Sequence, residues 1–367
     1  MQAKAAIIEK QGGEFVLDNV ELDAPRAGEL RIKIAAAGIC HTDLSVRDQY
    51  YPTPLPAVLG HEGAGWVEEV GPGVVGLEKG DPVVLSFSYC GACPTCLSGE
   101  HAYCPSLFPL NFTGRRLDGS TPVTRNGEDV NAMFFGQSSF ATHAIVRQEN
   151  CVKVASDAPL ELLGPLGCGV QTGAGAVLNA LQPKPGSSIA IFGAGSVGLS
   201  AIMAAKASGC TKIIAVDLQA DRLKKAEKLG ATHVFDASKT DPLEAIQSLT
   251  GLGADYAIDT TAAPKVVRTA IDAINTRGTM AIVGGAPLGT EASIDLNNML
   301  FGRKVIGIVE GSSTPQIFIP KLIDLHQAGL FPFDELVTYY NFDDINKAVH
   351  DTEKTGKSLK AILRMAA

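Results

Sequence analysis

The stretch Ser188-Ile-Ala-Ile-Phe192-Gly193-Ala-Gly195-Ser196-Val197-Gly198 decides the fold. A short apolar run runs into three glycines at Gly-x-Gly-x-x-Gly spacing, and a longer run of small and apolar residues follows. That order predicts a strand, a tight turn and a helix. Gly193 permits the turn, Gly195 lets a backbone approach a pyrophosphate, and Gly198 lets the helix pack close to its strand. Ser196 and Val197 open the helix, whose free N–H groups and positive dipole end suit phosphate. Asp217 stands nineteen residues after Gly198, at the end of the next apolar run. An acid there accepts hydrogen bonds from both hydroxyls of an adenosine ribose and repels a 2′-phosphate, so NAD is expected over NADP.

Outward from that turn, apolar runs recur at Ile189–Phe192, Ile213–Val216, His233–Phe235, Tyr256–Ile258, Met280–Val283 and Val305–Val309, separated mostly by helix-like stretches. Six such strands with crossover helices read as a doubly wound parallel sheet. Residues 1–169 differ. Short β-like runs (Arg31–Ile34, Val83–Leu85, His143–Val146) alternate with Gly and Pro turns there. The tail carries helical segments at Gln316–Gln327 and Asp343–Thr352 and a last strand at Leu359–Leu363, and is expected to complete the first domain. The expected division is therefore 1–169 with 313–367, and 170–312.

The chain of 367 residues carries a net charge of −8, which argues against a nucleic-acid partner. Residues 185–205 carry no charge, but the glycines and serines within them fit a buried strand–turn–helix better than a membrane span. The N-terminus has no apolar signal region, so a reducing cytoplasm is expected, where clustered cysteines bind metal.

Four of the eight cysteines fall at Cys90, Cys93, Cys96 and Cys104. Four thiolates this close can enclose one tetrahedral zinc with no open position, which is the pattern of a structural site. Other candidate ligands lie far away: Cys40 in Cys-His-Thr-Asp, His61 and Glu62 in Gly-His-Glu-Gly-Ala-Gly, and Cys168 in Gly-Cys-Gly. Two thiolates and an imidazole leave a fourth position for water or substrate, as catalytic zinc requires. Spacing alone does not bring these three together. Cys151 and Cys210 have no partner pattern and read as small hydrophobes, Trp66 as part of the β-rich core, and 221–228 as a solvated helix face.

Together these stretches resemble the zinc-dependent medium-chain dehydrogenase/reductase family, the alcohol dehydrogenases, over essentially the whole chain. Phe134-Phe-Gly-Gln-Ser-Ser-Phe140, Leu162-Leu-Gly-Pro-Leu-Gly-Cys168 and Phe331-Pro-Phe-Asp334 resemble the aryl-alcohol (benzyl alcohol) branch, and a branch acting on allylic terpene alcohols shares them. The resemblance implies a GroES-like β-rich catalytic domain and a Rossmann domain, two zincs per chain, NAD, a small alcohol or aldehyde substrate, and a homodimer or homotetramer. It implies that Cys40, His61 and Cys168 hold the catalytic zinc, with Glu62 as a transient ligand. Asp43 would orient His61, and Thr42 would bond the substrate oxygen and begin a proton path. His41, Thr172, Arg222, Val283 and Lys360 would contact the cofactor, His41 and Lys360 at its pyrophosphate. Many members carry a histidine where this chain has Ser45; either Ser45 and water complete the path or another base does. Phe134, Phe135, Tyr50, Tyr51 and Phe87 are the expected walls of an apolar substrate slot. The expected reaction is reversible oxidation of benzyl-type primary alcohols. Geraniol- or perillyl-type alcohols are the nearest alternative, and glutathione-linked formaldehyde oxidation a further one.

Overall fold

The computed structural model describes residues 1–365. The chain forms two compact units: residues 1–168, 314–321 and 334–367 make the first, and residues 169–313 and 322–333 the second. The division departs from the expected one in the tail, where residues 322–333 group with the second unit. That segment buries Leu322, Phe331 and Phe333, three large apolar side chains that each gain about 1.5–3 kcal/mol by leaving water.

The second unit is built on a six-stranded sheet in the order His233–Asp236, Lys212–Asp217, Ser188–Phe192, Ala254–Asp259, Ile274–Ile282, Lys304–Gly307. Every neighbouring pair is parallel. The chain leaves Ser188–Phe192 first to one side and then to the other, so the strand order reverses between it and Ala254–Asp259. Ligands of such sheets bind outside the strand C-termini at that reversal. The uncharged run divides as read, into the strand Ser188–Phe192 and the helix Ser196–Ala207. Gly193 has φ +93°, and a Cβ on Gly198 would lie 1.8 Å from the Gly193 carbonyl oxygen. No helix among the described residues is long and apolar enough to cross a membrane.

The first unit carries two sheets. The smaller, five-stranded, contains Gln2–Ile8 paired antiparallel with Phe15–Leu22. The larger, seven-stranded, is organised around Glu29–Gly38. One side of that strand pairs with Glu62–Val70. Its other side is shared, His143–Arg147 lying along the first part and the tail strand Lys360–Arg364 along the last. Gly38 thus has Glu62 on one side and Ile362 on the other. A Cβ on Gly38 would sit 2.1 Å from Glu62 Oε2, so only glycine leaves room for that carboxylate.

Trp66 is not in the core. It is 42% exposed and pairs across the sheet with Lys33 and Pro82, on the face that Lys33 presents to water. Trp66→Ser is therefore expected to lower unfolding free energy by about 1 kcal/mol, well short of the roughly 3–5 kcal/mol of a core tryptophan. Gly198→Ala, which forces a Cβ into the Gly193 carbonyl, should cost about 3 kcal/mol. Urea unfolding followed by circular dichroism checks both.

Candidate metal and cofactor sites

The lobe 90–104 packs four thiols together. The Sγ atoms of Cys90, Cys93, Cys96 and Cys104 all lie within 4.8 Å of one another, and Cys90 and Cys96 are 3.9 Å apart. Zinc–sulfur bonds of about 2.3 Å require tetrahedral sulfurs about 3.8 Å apart. The backbone supplies the matching donors: Cys93 N reaches Cys90 Sγ at 3.3 Å, Cys96 N reaches Cys93 Sγ at 3.4 Å, and Cys90 N reaches Cys104 Sγ at 3.4 Å. The N–H groups of Ala92 and Cys93 hold the Cys90 thiol down to about 6, whereas burial pushes Cys96 up to about 12. The donor set and its spacing fit a closed zinc site. Cys151 and Cys210 are buried and lie outside both thiol groups, and burial raises both thiols.

A second group joins Cys40, His61, Glu62 and Cys168, whose ligand atoms also lie within 4.8 Å of one another. Each comes from a different local device. Cys40 caps the helix His41–Arg47, His61 immediately precedes the strand Glu62–Val70, and Cys168 ends the turn Gly164–Gly167. Asp43, third in its helix and wholly buried, binds the first two together. Its Oδ2 accepts from Cys40 N at 2.9 Å, and its Oδ1 accepts from Gly60 N at 3.1 Å and meets His61 Nδ1 at 2.8 Å. A carboxylate only accepts, so Nδ1 carries the hydrogen and Nε2 is left as the ligating atom. His61 Nε2 is buried and has no hydrogen-bond partner. A buried nitrogen lone pair beside two thiols is what a zinc ligand set requires, and the group fits the ion. Cys168 beside Cys40 holds the Cys40 thiol well below its usual range, against the opposing effect of burial.

Glu62 is engaged differently. Lys360 Nζ donates to both its carboxylate oxygens, at 2.8 and 2.9 Å, and to the Ile39 carbonyl at 3.3 Å. Burial raises the Glu62 carboxyl while Lys360 pulls it the other way. Lys360, expected at the cofactor pyrophosphate, is engaged here with Glu62 and Ile39. The ammonium is 1% exposed inside the first unit and spends its three N–H donors on Glu62 and Ile39.

Thr42 lies in the first turn of the same helix, with its hydroxyl 3.9 Å from Cys40 Sγ, and Ser45 is buried one turn on. His41 is exposed at the helix start. Phe135 and Phe134 lie against the His61 ring at centroid distances of 4.5 and 5.5 Å. Phe112 packs on both and Tyr51 on Phe112. Phe135 holds φ +51°, a strained setting for a bulky residue. Of the other expected walls, Tyr50 is 59% exposed, and Phe87 is buried with its ring 6.1 Å from that of Tyr89. Sequence reading passed over Gln137, Ser86 and Asn150, buried polar residues around the same group; no spacing signal marks them.

In the second unit a cavity of about 610 Å³ is lined by Gly193, Gly195, Asp217, Arg222, Thr260 and Thr261, among others. Asp217 accepts from Ala194 N at 2.7 Å and Gln219 N at 2.8 Å, and Arg222 Nη1 lies 4.0 Å from it. Ser196, Val197 and Gly198 form the first turn of the helix, and Val283 follows the strand Ile274–Ile282. Thr172 lies in the helix Gly169–Gly175. The cavity, with its glycine turn and acid, fits a dinucleotide.

Residues 26–156 match the alcohol dehydrogenase GroES-like domain, and residues 196–327 the zinc-binding dehydrogenase domain. The chain is 47% identical to the geraniol dehydrogenase of Castellaniella defragrans, over 99% of this chain and 98% of that one. It belongs to the zinc-dependent alcohol dehydrogenase family. The benzyl alcohol dehydrogenase of Acinetobacter calcoaceticus is 48% identical, with a TM-score of 0.97 over 100% of both chains. An alcohol dehydrogenase zinc-binding domain protein of Burkholderia ambifaria is 51% identical, with a TM-score of 0.98 over the same full coverage. The chain is thus an alcohol dehydrogenase oxidoreductase with a GroES-like and a Rossmann-type domain.

Two outcomes follow from this geometry. Asp43→Ala, by releasing His61, should weaken metal affinity of the Cys40–His61–Cys168 group about 10- to 100-fold in chelator competition. Lys360→Met strands the Glu62 carboxylate in the interior and should cost about 3–5 kcal/mol in urea unfolding. The pair Lys360→Met with Glu62→Leu, which removes both charges, should recover most of that loss.

Proposed function

We propose that this chain reversibly oxidises benzyl-type primary alcohols to aldehydes, using NAD and two zinc ions, one in each thiol-bearing group. The observation that carries the reading is the aromatic wall on His61, formed by Phe134 and Phe135 and backed by Phe112 and Tyr51. Flat apolar rings beside the reacting centre favour an alcohol whose carbon is attached to a planar π system. The likeness to a benzyl alcohol dehydrogenase supports this substrate class. The likeness to a geraniol dehydrogenase favours a second reading, allylic terpene alcohols, which present a similar planar carbon framework.

Oxidation takes a hydride from carbon and a proton from oxygen; when bound, zinc supplies Lewis-acid polarisation of the oxygen and the nicotinamide supplies the hydride acceptor. The chain's own residues do the rest. Cys40, His61 and Cys168 are the ligands of the open site, with the His61 ring held by Asp43. Glu62, restrained by Lys360, stays within reach of the other ligand atoms as an exchange ligand. The Thr42 hydroxyl accepts the proton from the substrate oxygen as it donates its own onward, and the proton leaves to solvent water. Ser45, at i+3 on the same helix, is the next hydroxyl on the way out. Phe134 and Phe135 keep water from the reacting oxygen, which strengthens every polar interaction there. The Asp217 carboxylate selects NAD by accepting from ribose hydroxyls and repelling a 2′-phosphate.

NADH absorbance with purified protein holding two zincs tests the reading. Benzyl alcohol should give a kcat/KM above that for geraniol, and a large preference for geraniol would move the assignment to the allylic class. Asp217→Ala should raise KM for NAD at least about tenfold, the loss of one charge-assisted hydrogen bond of roughly 1.5–3 kcal/mol, while easing use of NADP.

A further inference from the structure

Asp43 joins the backbone of Cys40 to the ring of His61, and Cys168 lies beside Cys40 on a turn of its own. A separate buried network reaches that turn. Gln137 is fully buried, and its amide straddles Glu62: Oε1 accepts from Gly63 N at 3.1 Å, and Nε2 donates to the His61 carbonyl at 3.0 Å. The same Nε2 lies 3.3 Å from the Ser86 carbonyl. Ser86 is also fully buried, and its hydroxyl donates to the Gly167 carbonyl at 2.7 Å, one residue before Cys168. Asn150 closes the set. Its Nδ2 donates to the Ser86 carbonyl at 2.6 Å and to the Phe135 carbonyl at 2.9 Å, while its Oδ1 accepts from Ser88 Oγ at 2.9 Å.

Among its main-chain contacts, the network therefore reaches His61, the turn bearing Cys168, and the aromatic residue packed on the His61 ring. Neither end can drift. A Cβ on Gly167 would lie 2.0 Å from the Leu85 carbonyl oxygen, so that turn is pressed against the residue just before Ser86. Gln137 and Phe135 share one short loop, in which Phe135, Gly136 and Ser138 all have positive φ (+51°, +62° and +47°). Such backbone persists only where the surroundings over-determine it. Buried amides with every donor and acceptor used are the means of doing so, and removing one leaves carbonyls and an N–H without partners.

We propose that Gln137 and Ser86 are positioning residues that set the separation of His61 from Cys168 and, with Asn150, seat Phe135 against the same site. The inference rests on the reading of Cys40, His61 and Cys168 as an open zinc site. Asp43 fixes the orientation of one ligand ring, whereas this hub fixes the distance between two ligand-bearing segments and the register of the wall beside them.

The test uses full-length Gln137→Met and Ser86→Ala with cobalt placed selectively at the Cys40–His61–Cys168 group. Ser86→Ala removes a single hydroxyl just past the strand Pro82–Leu85 and carries the test if Gln137→Met does not fold. The proposal expects a shifted cobalt visible spectrum, metal release to a chelator at least about tenfold faster than in the unsubstituted protein, and a lower kcat/KM ratio of benzyl alcohol to 1-propanol. Spectra and release rates identical to the unsubstituted protein, even with a lowered melting temperature, would make the network structural only and overturn it. Failure of the unsubstituted protein to hold metal in that group would overturn the site reading together with the proposal, and is seen before any variant is made.

Discussion

The buried carboxylate of Asp43 is the interaction on which the first unit's site depends. An anion out of water is costly unless donors surround it. Three do: the N–H of Cys40, the N–H of Gly60 and the imidazole of His61. Because the carboxylate can only accept, it dictates which imidazole nitrogen carries hydrogen and leaves Nε2 toward the thiols. One side chain thus caps a helix, anchors the residue before His61 and selects a tautomer.

The other buried charges follow the same rule. Glu62 lies beside Gly38, where only a glycine leaves room, and Lys360 reaches it from a tail strand paired to the same central strand. The pair is satisfied because a third acceptor, the Ile39 carbonyl, takes the remaining lysine donor. In the second unit Asp217 is treated more lightly. Backbone N–H groups of Ala194 and Gln219 hold it in place, yet it still lines the cavity. A carboxylate held to orient a ligating ring is sealed away, and one poised to meet a sugar lines a cavity.

How much of this was legible depended on sequence separation. The 90–104 thiols and the glycine turn after Phe192 were readable because each is a local device whose spacing carries its geometry. The doubly wound parallel character of the second unit was readable because strands and helices alternate regularly. Trp66 was misread because hydrophobicity outweighed strand alternation, which puts it on the same face as Lys33. The contact of Lys360 with Glu62 was not legible because the two residues are 298 positions apart. The strand Val337–Asn341 passed unnoticed because Thr338, Tyr339, Tyr340 and Asn341 do not make an apolar run.

By itself, the sequence determined the doubly wound second unit, the closed four-cysteine group, the phosphate-binding turn with its acid, and the inventory of ligands for an open site. These rest on contacts between residues close in the chain, where spacing and chemistry suffice. Only the tertiary structure decided that Cys40, His61 and Cys168 converge, that Lys360 neutralises Glu62, and that Gln137 and Ser86 bridge the segments bearing His61 and Cys168. Those outcomes depend on which strands pair and which side chains share a dry interior. There, a buried polar group must find its partner wherever the fold has brought one.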